Sequence, residues 1–532
     1  MLHKIIDSKK YKSRKGCTVG KIISKILGLV LVALQLLVSV IFCGILYVSN
    51  FLEFDNILIV ILVLLILVLV NLILQRWVIS GIIGKFLALF LILGLGYGSN
   101  MLLHTNTMLS DITSGTTEVD EINYYVLADD PAQSIEDASD YTFGVLGSMD
   151  RENTDYAVSE AEGKTGSPLT LQEYDDIQAL AAALYSKDIG AAIINQAYVD
   201  VLEDMEDYSD FSTETRVLET VSKESEVISA EEFLPADEIC TTPFTIYVSG
   251  CDQSGSISTK GRSDVNIMAT INPVTKQVIL ISTPRDYYIP LSISGGQKDK
   301  LTHAGIYGVD VSMDTLGMLY DTDLSLYFKV NFTGFKDIIN ALGGIEVESD
   351  VAFTAGKDAS SQSDKGSYTF KEGMNELDGG AALAFSRERH AFATGDRQRG
   401  INQMKVIEGV LRKVESVALL TNYADIMKSI SGSFETNLTS KQIQALVKMQ
   451  MDDMASWNIL TYSVTGSDAK EATFSSPSHK AYVMIPDDST VQKGIELVDK
   501  VCDGEELTKA DLEKSSGSSG DDSGDEDSGE DE

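Results

Sequence analysis

The sequence contains no Cys-x-x-Cys pair and no His/Cys cluster, and its five histidines are scattered. That excludes zinc sites of the usual spacing. Cysteine itself is sparse. Cys17 and Cys43 lie in or before the first apolar run, while Cys240, Cys251 and Cys502 follow far beyond it. Three cysteines cannot all pair internally, so two readings of Cys240 and Cys251 stand side by side: a bridge formed in an oxidising space, or two small buried thiols. Basic charge is scarce as well, with 42 Lys and Arg against 79 Asp and Glu, a formal net charge of −37. Such a balance argues against nucleic acid as a partner, and no DNA-binding element is visible.

Against that acidic background, long hydrophobic runs are plentiful at one end. Residues 26–48, 56–74 and 82–103 are three stretches of Leu, Ile, Val and Phe. Each is close to the ~20 residues a helix needs to cross the hydrocarbon layer, and the runs lack a polar face. A cleaved signal peptide is excluded because the first run is too long and two more follow. Lys9, Lys10, Lys12, Arg14, Lys15, Lys21 and Lys25 precede the first run, and Arg76 and Lys85 flank the second turn. The first turn carries Glu53 and Asp55 instead. By the positive-inside rule, residues 1–25 are a cytoplasmic basic segment, 26–104 hold three transmembrane helices, and everything beyond lies outside. Gln35, Asn71 and Lys85 form no ion-relay pattern, so the spans are expected to anchor.

Residues 105–120 read as a polar linker. Residues 121–235 then alternate strand-like and helical runs, "TFGVLGS", "LTLQEYDDIQALAAALYS" and "IGAAIINQAYVDVL", which predicts a small α/β accessory domain with a parallel sheet. Its "EGKTG" is not a phosphate loop, because Val158 stands where the first glycine belongs. A scaffold or ligand-sensing role is its default. Residues 240–500 form a larger α/β unit, and 515–532 contain only Ser, Gly, Asp and Glu, a disordered acidic tail.

Within the larger unit, strands "FTIYVSG", "DVNIMATIN" and "QVILIST" read as a meander. Helices are expected near 312–320, over "FKDIINAL" up to the Gly343-Gly344 stop, over "GGAALAFSRERH", and from about 398–400 to 416. In a meander the end of the first strand, the start of the second and the end of the third share one rim. Asp252, Arg262, Asp264 and Arg285 then converge without being sequence neighbours. The stretch 384–403 adds Arg387, Arg389, Arg397 and Arg399. Helix-end cations complement the dipole, yet two carboxylates plus several arginines is also what a pyrophosphate site requires. Mg²⁺ is held by one or two carboxylates plus phosphate oxygens, and guanidinium forks grip phosphate bidentately.

The stretches "CDQSGSISTKGRSDVNIMATINPVTKQVILISTPRDYYI", "NALGGIEV", "LDGGAALAFSRERH" and "GDRQRGINQ", in that order over a core of about 244–415, resemble the LytR-CpsA-Psr family of Gram-positive envelope proteins. Three spans and an accessory domain look most like its capsule-type branch. The resemblance implies an α/β/α domain with a central mixed sheet and a hydrophobic tunnel for a polyprenyl chain. The implied activity is Mg²⁺-assisted transfer of a capsule or teichoic-acid glycopolymer from polyprenyl pyrophosphate to the 6-hydroxyl of a peptidoglycan muramic acid. By motif, Asp252 and Asp264 are the implied Mg²⁺ ligands. Arg262, Arg285, Arg387 and Arg389, with Arg399 and Gln403, are the implied pyrophosphate clamp, and Arg262, Arg285 and Asp396 the catalytic residues. Asn402 stands where many members carry arginine, and Phe385 where tyrosine is frequent. Arg397 falls between motif positions and reads as a solvated charge. The implied surroundings are the membrane, peptidoglycan, and a homo-oligomer or a capsule-assembly complex. Two other classes share these features: a polyprenyl-pyrophosphatase with water as acceptor, and a non-enzymatic membrane sensor or transcriptional attenuator.

Overall fold

A computed structural model describes residues 2–48, 54–113, 117–227, 233–251, 256–361, 365–393, 395–415, 430 and 432–513. Asp252 and the 515–532 tail lie outside the described residues. The apolar N-terminal runs form α1 (Leu2–Val48), α2 (Phe54–Leu74) and α3 (Val78–Thr113). Within them Ile22–Val48, Asn56–Leu74 and Ser80–Leu103 are long and apolar enough to cross a membrane. A helix satisfies every interior backbone N–H and C=O within itself, which is why such runs are helical. Asn71 donates to Gln35 at 2.8 Å, tying α1 to α2. The stretch expected as a linker is helical through Thr113, and β1 begins at Thr117.

The next sheet holds β1 (Thr117–Leu127), β2 (Thr142–Leu146), β3 (Thr170–Tyr174), β4 (Ala191–Asn195) and β5 (Thr215–Glu226) in the order β3-β2-β4-β1-β5. Helices α4 (Arg151–Thr165), α5 (Ile177–Tyr185) and α6 (Val199–Glu203) connect its strands. Here the expectation of a parallel sheet is corrected. β2 runs parallel to β3 and β4, but β1 is antiparallel to both β4 and β5. The helical connections leave β2, β3, β4 and β5 running the same way; β1, which precedes them, enters without that constraint and runs opposite.

The larger sheet contains β6 (Phe244–Cys251), β7 (Ser263–Asn272) and β8 (Gln277–Ser282), an antiparallel meander as the sequence indicates. With β9 (Leu326–Asn331), β12 (Phe434–Thr436) and β13 (Asn458–Ser463), the order is β12-β9-β6-β7-β8-β13; β9 runs parallel to β6 and antiparallel to β12, and β13 runs parallel to β8. Strands β10 (Ile345–Ser349) and β11 (Gly373–Leu377) form a separate hairpin-like pair. Alternation along the strands separates two faces. Tyr247, Met268 and Ile279 pack into one core with α7 (Leu301–Tyr307), α8 (Val309–Tyr320) and α12 (Asp488–Cys502). The opposite face is covered by α9 (Phe332–Ala341), α10 (Gly379–Arg387) and α11 (Asp396–Val414). α9 stops at Gly343 and Gly344, whose φ values of 74° and 86° are left-handed. The result is a mixed sheet between two helical layers. Leu102, at the end of the third apolar run in α3, packs with Phe434, Phe328 and Ile338.

Candidate functional site

Between the second sheet face and its helices lies a cavity of about 530 Å³. Its interior is apolar: Ile246, Val248, Ala269 and Leu280 from the strands meet Phe335, Leu383 and Val410 from the helices. Period-two alternation supplies the strand side. On the helices, Val406 and Val410 of α11 recur at helical spacing. Its mouth is polar and carries Arg262, Asp264, Arg285, Arg387, Arg389, His390, Arg399 and Gln403. All the clamp residues indicated by the sequence therefore reach one cavity.

The meander register explains the rim. Cys251 at the end of β6 lies opposite Ser263 at the start of β7, and Ile267 of β7 opposite Ser282 at the end of β8. Asp264 is the hub. Its Oδ1 accepts from Arg285 Nη1 at 3.0 Å and from Thr302 Oγ1 at 3.3 Å. Its Oδ2 has no hydrogen-bond partner among the described residues. Burial alone would push this carboxyl up, but the Arg285, Arg399 and Arg262 charges hold it below the usual carboxylate range. Burial likewise works against the Arg285 cation, and Asp264 and Asp286 outweigh it. Among the described residues the Nε atoms of both Arg262 and Arg285 are buried without a hydrogen bond, although Arg262 Nε lies 3.4 Å from Asp200 Oδ2 and Arg285 Nε 3.6 Å from Asp286 Oδ2. Donors left unpaired in this way cost free energy unless something accepts from them.

Arg387 ends α10 with its guanidinium 4.2 Å from the Phe332 ring centroid. The helix was expected to reach His390; it stops at Arg387. Glu388 turns extended, and its carboxylate accepts from the backbone N–H groups of Gly356 and Ala391 at 2.5 and 2.8 Å. Arg389 and His390 consequently stand beyond the helix end, where Arg389 Nε lies 3.3 Å from His390 Nε2. Arg399 pairs with Asp396 at 3.0 Å, one turn earlier on α11. Burial lowers the Arg399 pKa, with Asp396 opposing. Asp396 itself faces a smaller cavity of about 220 Å³, which shares Asp264, Arg285, Arg399 and Gln403 with the larger one. Asp396 thus contacts Arg399 and does not line the main cavity.

Arg397 is exposed, in keeping with a surface charge, yet its Nη2 donates to Gly466 O at 2.6 Å. Asn402 is buried and donates to Phe385 O at 3.2 Å, which ties α11 to α10. Cys240 and Cys251 are both free thiols. Two carboxylates that carry no sequence signal beyond a generally acidic run pair with Arg262: Asp204, which lines the mouth, at 2.5 Å, and Asp200 at 3.4 Å. Burial raises the Asp200 carboxyl against the pull of Arg262.

Arginine-rich anion grip, one ionised carboxylate and an apolar recess suit an amphiphilic phosphate ester. Comparison with known proteins finds relatives over this part of the chain. The chain is 36% identical over 211 residues to the polyisoprenyl-teichoic acid–peptidoglycan teichoic acid transferase TagU of Bacillus cereus, covering 40% of this chain and 65% of that protein. It is also 36% identical over 200 residues to the protein of that name from Enterococcus faecalis, covering 37% and 62%. The chain thus spans just under two thirds of the length of these curated relatives. The crystal structure of B. subtilis TagV aligns with a TM-score of 0.41 at 28% identity, over 49% of this chain and 98% of that one. The LytR_cpsA_psr family model matches residues 208–489, more than half of the sequence, and the chain belongs to the LytR_cpsA_psr family.

Proposed function

We propose that this protein is a membrane-anchored phosphotransferase that moves an anionic glycopolymer from a polyprenyl-pyrophosphate carrier to the 6-hydroxyl of a peptidoglycan muramic acid. The observation that carries the reading is the single cavity with an apolar interior and an arginine-lined mouth. The relatives named for teichoic acid transfer to peptidoglycan support the same substrate classes. A prenyl chain would occupy the apolar interior, stabilised by roughly 25 cal/mol per Å² of buried apolar surface. Its pyrophosphate would meet Arg262, Arg285, Arg387, Arg389 and Arg399 at the mouth. The packing of Leu102 on α3 against Phe328 and Ile338, which line the cavity, favours a lipid substrate drawn from the adjacent bilayer.

The acceptor oxygen would attack the glycan-bearing phosphorus. Its bond to the bridging oxygen breaks, polyprenyl monophosphate leaves, and the hydroxyl proton is released. Phosphoryl transfer of this kind is catalysed mainly by positioning and charge neutralisation. The free Oδ2 of ionised Asp264 fits a divalent cation, with Asp252 as its proposed partner. Bound there, Mg²⁺ would neutralise charge on the pyrophosphate oxygens. Arg285 and Thr302 fix the Asp264 carboxylate so that one oxygen remains for the cation. The N-terminus is proposed to be cytoplasmic and the cavity-bearing unit to face outward.

The test is to incubate the purified full chain with Mg²⁺ and a polyprenyl-pyrophosphate-linked glycan, with and without a peptidoglycan acceptor. Polyprenyl phosphate release that depends on acceptor is expected. Release without acceptor would indicate a hydrolase, and an intact donor would refute the proposal.

A further inference from the structure

The connection between β6 and β7 runs from Asp252 to Arg262, joining the proposed cation ligand to the first clamp arginine. Its described part, residues 256–262, is gripped by the unit formed by residues 117–227. Val119 N donates to Ser258 O at 2.8 Å, and Lys260 N donates to Val119 O at 2.9 Å, so the connection docks on β1 like an added strand. Lys260 Nζ reaches Asp120 Oδ2 at 2.8 Å, with both side chains nearly buried. Next to it, Glu118 accepts from Lys329 Nζ at 3.1 Å and from Val309 N at 3.0 Å, which ties β1 to β9 and α8. Beyond this docking, Asp204 and Asp200 take the Arg262 guanidinium itself, at 2.5 and 3.4 Å. Both carboxylates come from α6 or the residue after it, and both precede the first residue matched by the family model.

We propose that the 117–227 unit is a positioning device for the phosphate-binding connection, with Asp200 and Asp204 as the positioning residues for Arg262. The inference rests on the phosphotransferase reading above. A guanidinium has five donors in a rigid fork. One taken by Asp204 fixes the plane of the fork and leaves the far Nη free for phosphate oxygens. An unsupported arginine on a connection of this length would sample many rotamers. Holding it in advance removes that entropy from the reaction, and a misplacement of about 1 Å can cost around a hundredfold in rate. Asp204 also lines the cavity mouth, so the fork is held at the point of use.

The experiment uses the full chain in detergent with Mg²⁺ and a polyprenyl-pyrophosphate donor. It compares wild type, Asp200→Asn/Asp204→Asn and Asp204→Glu by kcat, KM and melting temperature. Positioning predicts that the double variant loses roughly tenfold to a hundredfold in kcat, with KM and melting temperature little moved. Asp204→Glu, which keeps the charge, should recover part of the loss. An unchanged kcat overturns the proposal. So does a raised kcat, which would mean the carboxylates compete with phosphate for Arg262, and so does a loss fully explained by unfolding. Hydrogen exchange of the 256–262 amides needs no substrate and separates the two ideas. Faster exchange there in the double variant is expected whether or not the donor is the right one, and unchanged exchange overturns the positioning role. An inactive wild type refutes the phosphotransferase reading instead.

Discussion

Arg387 and Arg397 carry the same charge ten residues apart, and their surroundings separate them. Arg387 lines the main cavity over Phe332, while Arg397 points to Gly466 O outside it. Arg387→Lys or Arg389→Lys keeps the charge but loses the fork. With charge-assisted contacts worth about 1.5–3 kcal/mol, turnover of a polyprenyl pyrophosphate should fall roughly tenfold to a hundredfold. Arg397→Lys should behave like wild type, and equal activity in all three variants would remove the clamp. Asp264 needs a subtler test. As a rim carboxylate it would seem dispensable for folding, but its pairing with Arg285 and its burial make it a structural partner too. Asp264→Ala leaves Arg285 without its acceptor and should cost on the order of 3 kcal/mol. Asp264→Asn retains an oxygen for Arg285 and Thr302 but not the charge, so its melting temperature should fall less than that of Asp264→Ala while Mg²⁺-dependent turnover is lost. Retained Mg²⁺ dependence in that variant would exclude Asp264 as a ligand.

Helix α10 positions Arg387, and its start is fixed by two local devices. The Asp378 carboxylate caps it by accepting from Ala381 N at 2.8 Å. Gly379 permits its contact with α9, because a Cβ there would fall 2.3 Å from Lys336 O. Gly379→Ala must push α10 away from α9. Overpacking of this kind costs about 1–3 kcal/mol, so thermal unfolding should shift down and turnover should fall with it as Arg387 moves. Asp378→Ala, which removes only the cap, should cost about 1 kcal/mol and leave turnover per folded molecule largely intact. If Gly379→Ala leaves both measures unchanged, the close approach of the two helices does not govern the site.

For the whole molecule, charge decides both placement and pH response. Basic residues before the first span and between the second and third predict that added protease digests the 240–500 region on intact protoplasts expressing the protein. Protection of that region would reverse the proposed orientation. Burial pushes the carboxyls of Asp150 and Glu435 up to about 7 and that of Asp310 up to about 6. Each binds its proton more tightly folded than unfolded. Their contribution is therefore fully present below the ordinary carboxylate pKa of about 4 and is lost as pH rises toward about 7. Asp264 has the opposite sign, and its contribution is lost as pH falls below the ordinary carboxylate range. The melting temperature should decline between about pH 5 and pH 7.5, and Asp150→Asn should flatten that decline. A flat wild-type profile would count against all three raised carboxyls.

The three long apolar helices, the β6-β7-β8 meander, the Gly343-Gly344 stop and the convergence of Arg262, Asp264 and Arg285 on one rim were all legible in the sequence. Apolar run length, period-two alternation and turn residues are local properties, and a meander's rim follows from connectivity alone. Other features depend on contacts between distant segments. The antiparallel entry of β1 left no trace in local pattern, and neither did the end of α10 at Glu388, whose carboxylate is taken by Gly356 N from 32 residues away. Asp200 and Asp204 are two acids among many in an acidic chain, and nothing in their spacing marks them. Only the packing of one sheet unit against the other brings them to Arg262, because an ion pair is fixed by where two backbones are held, which no stretch of sequence encodes by itself.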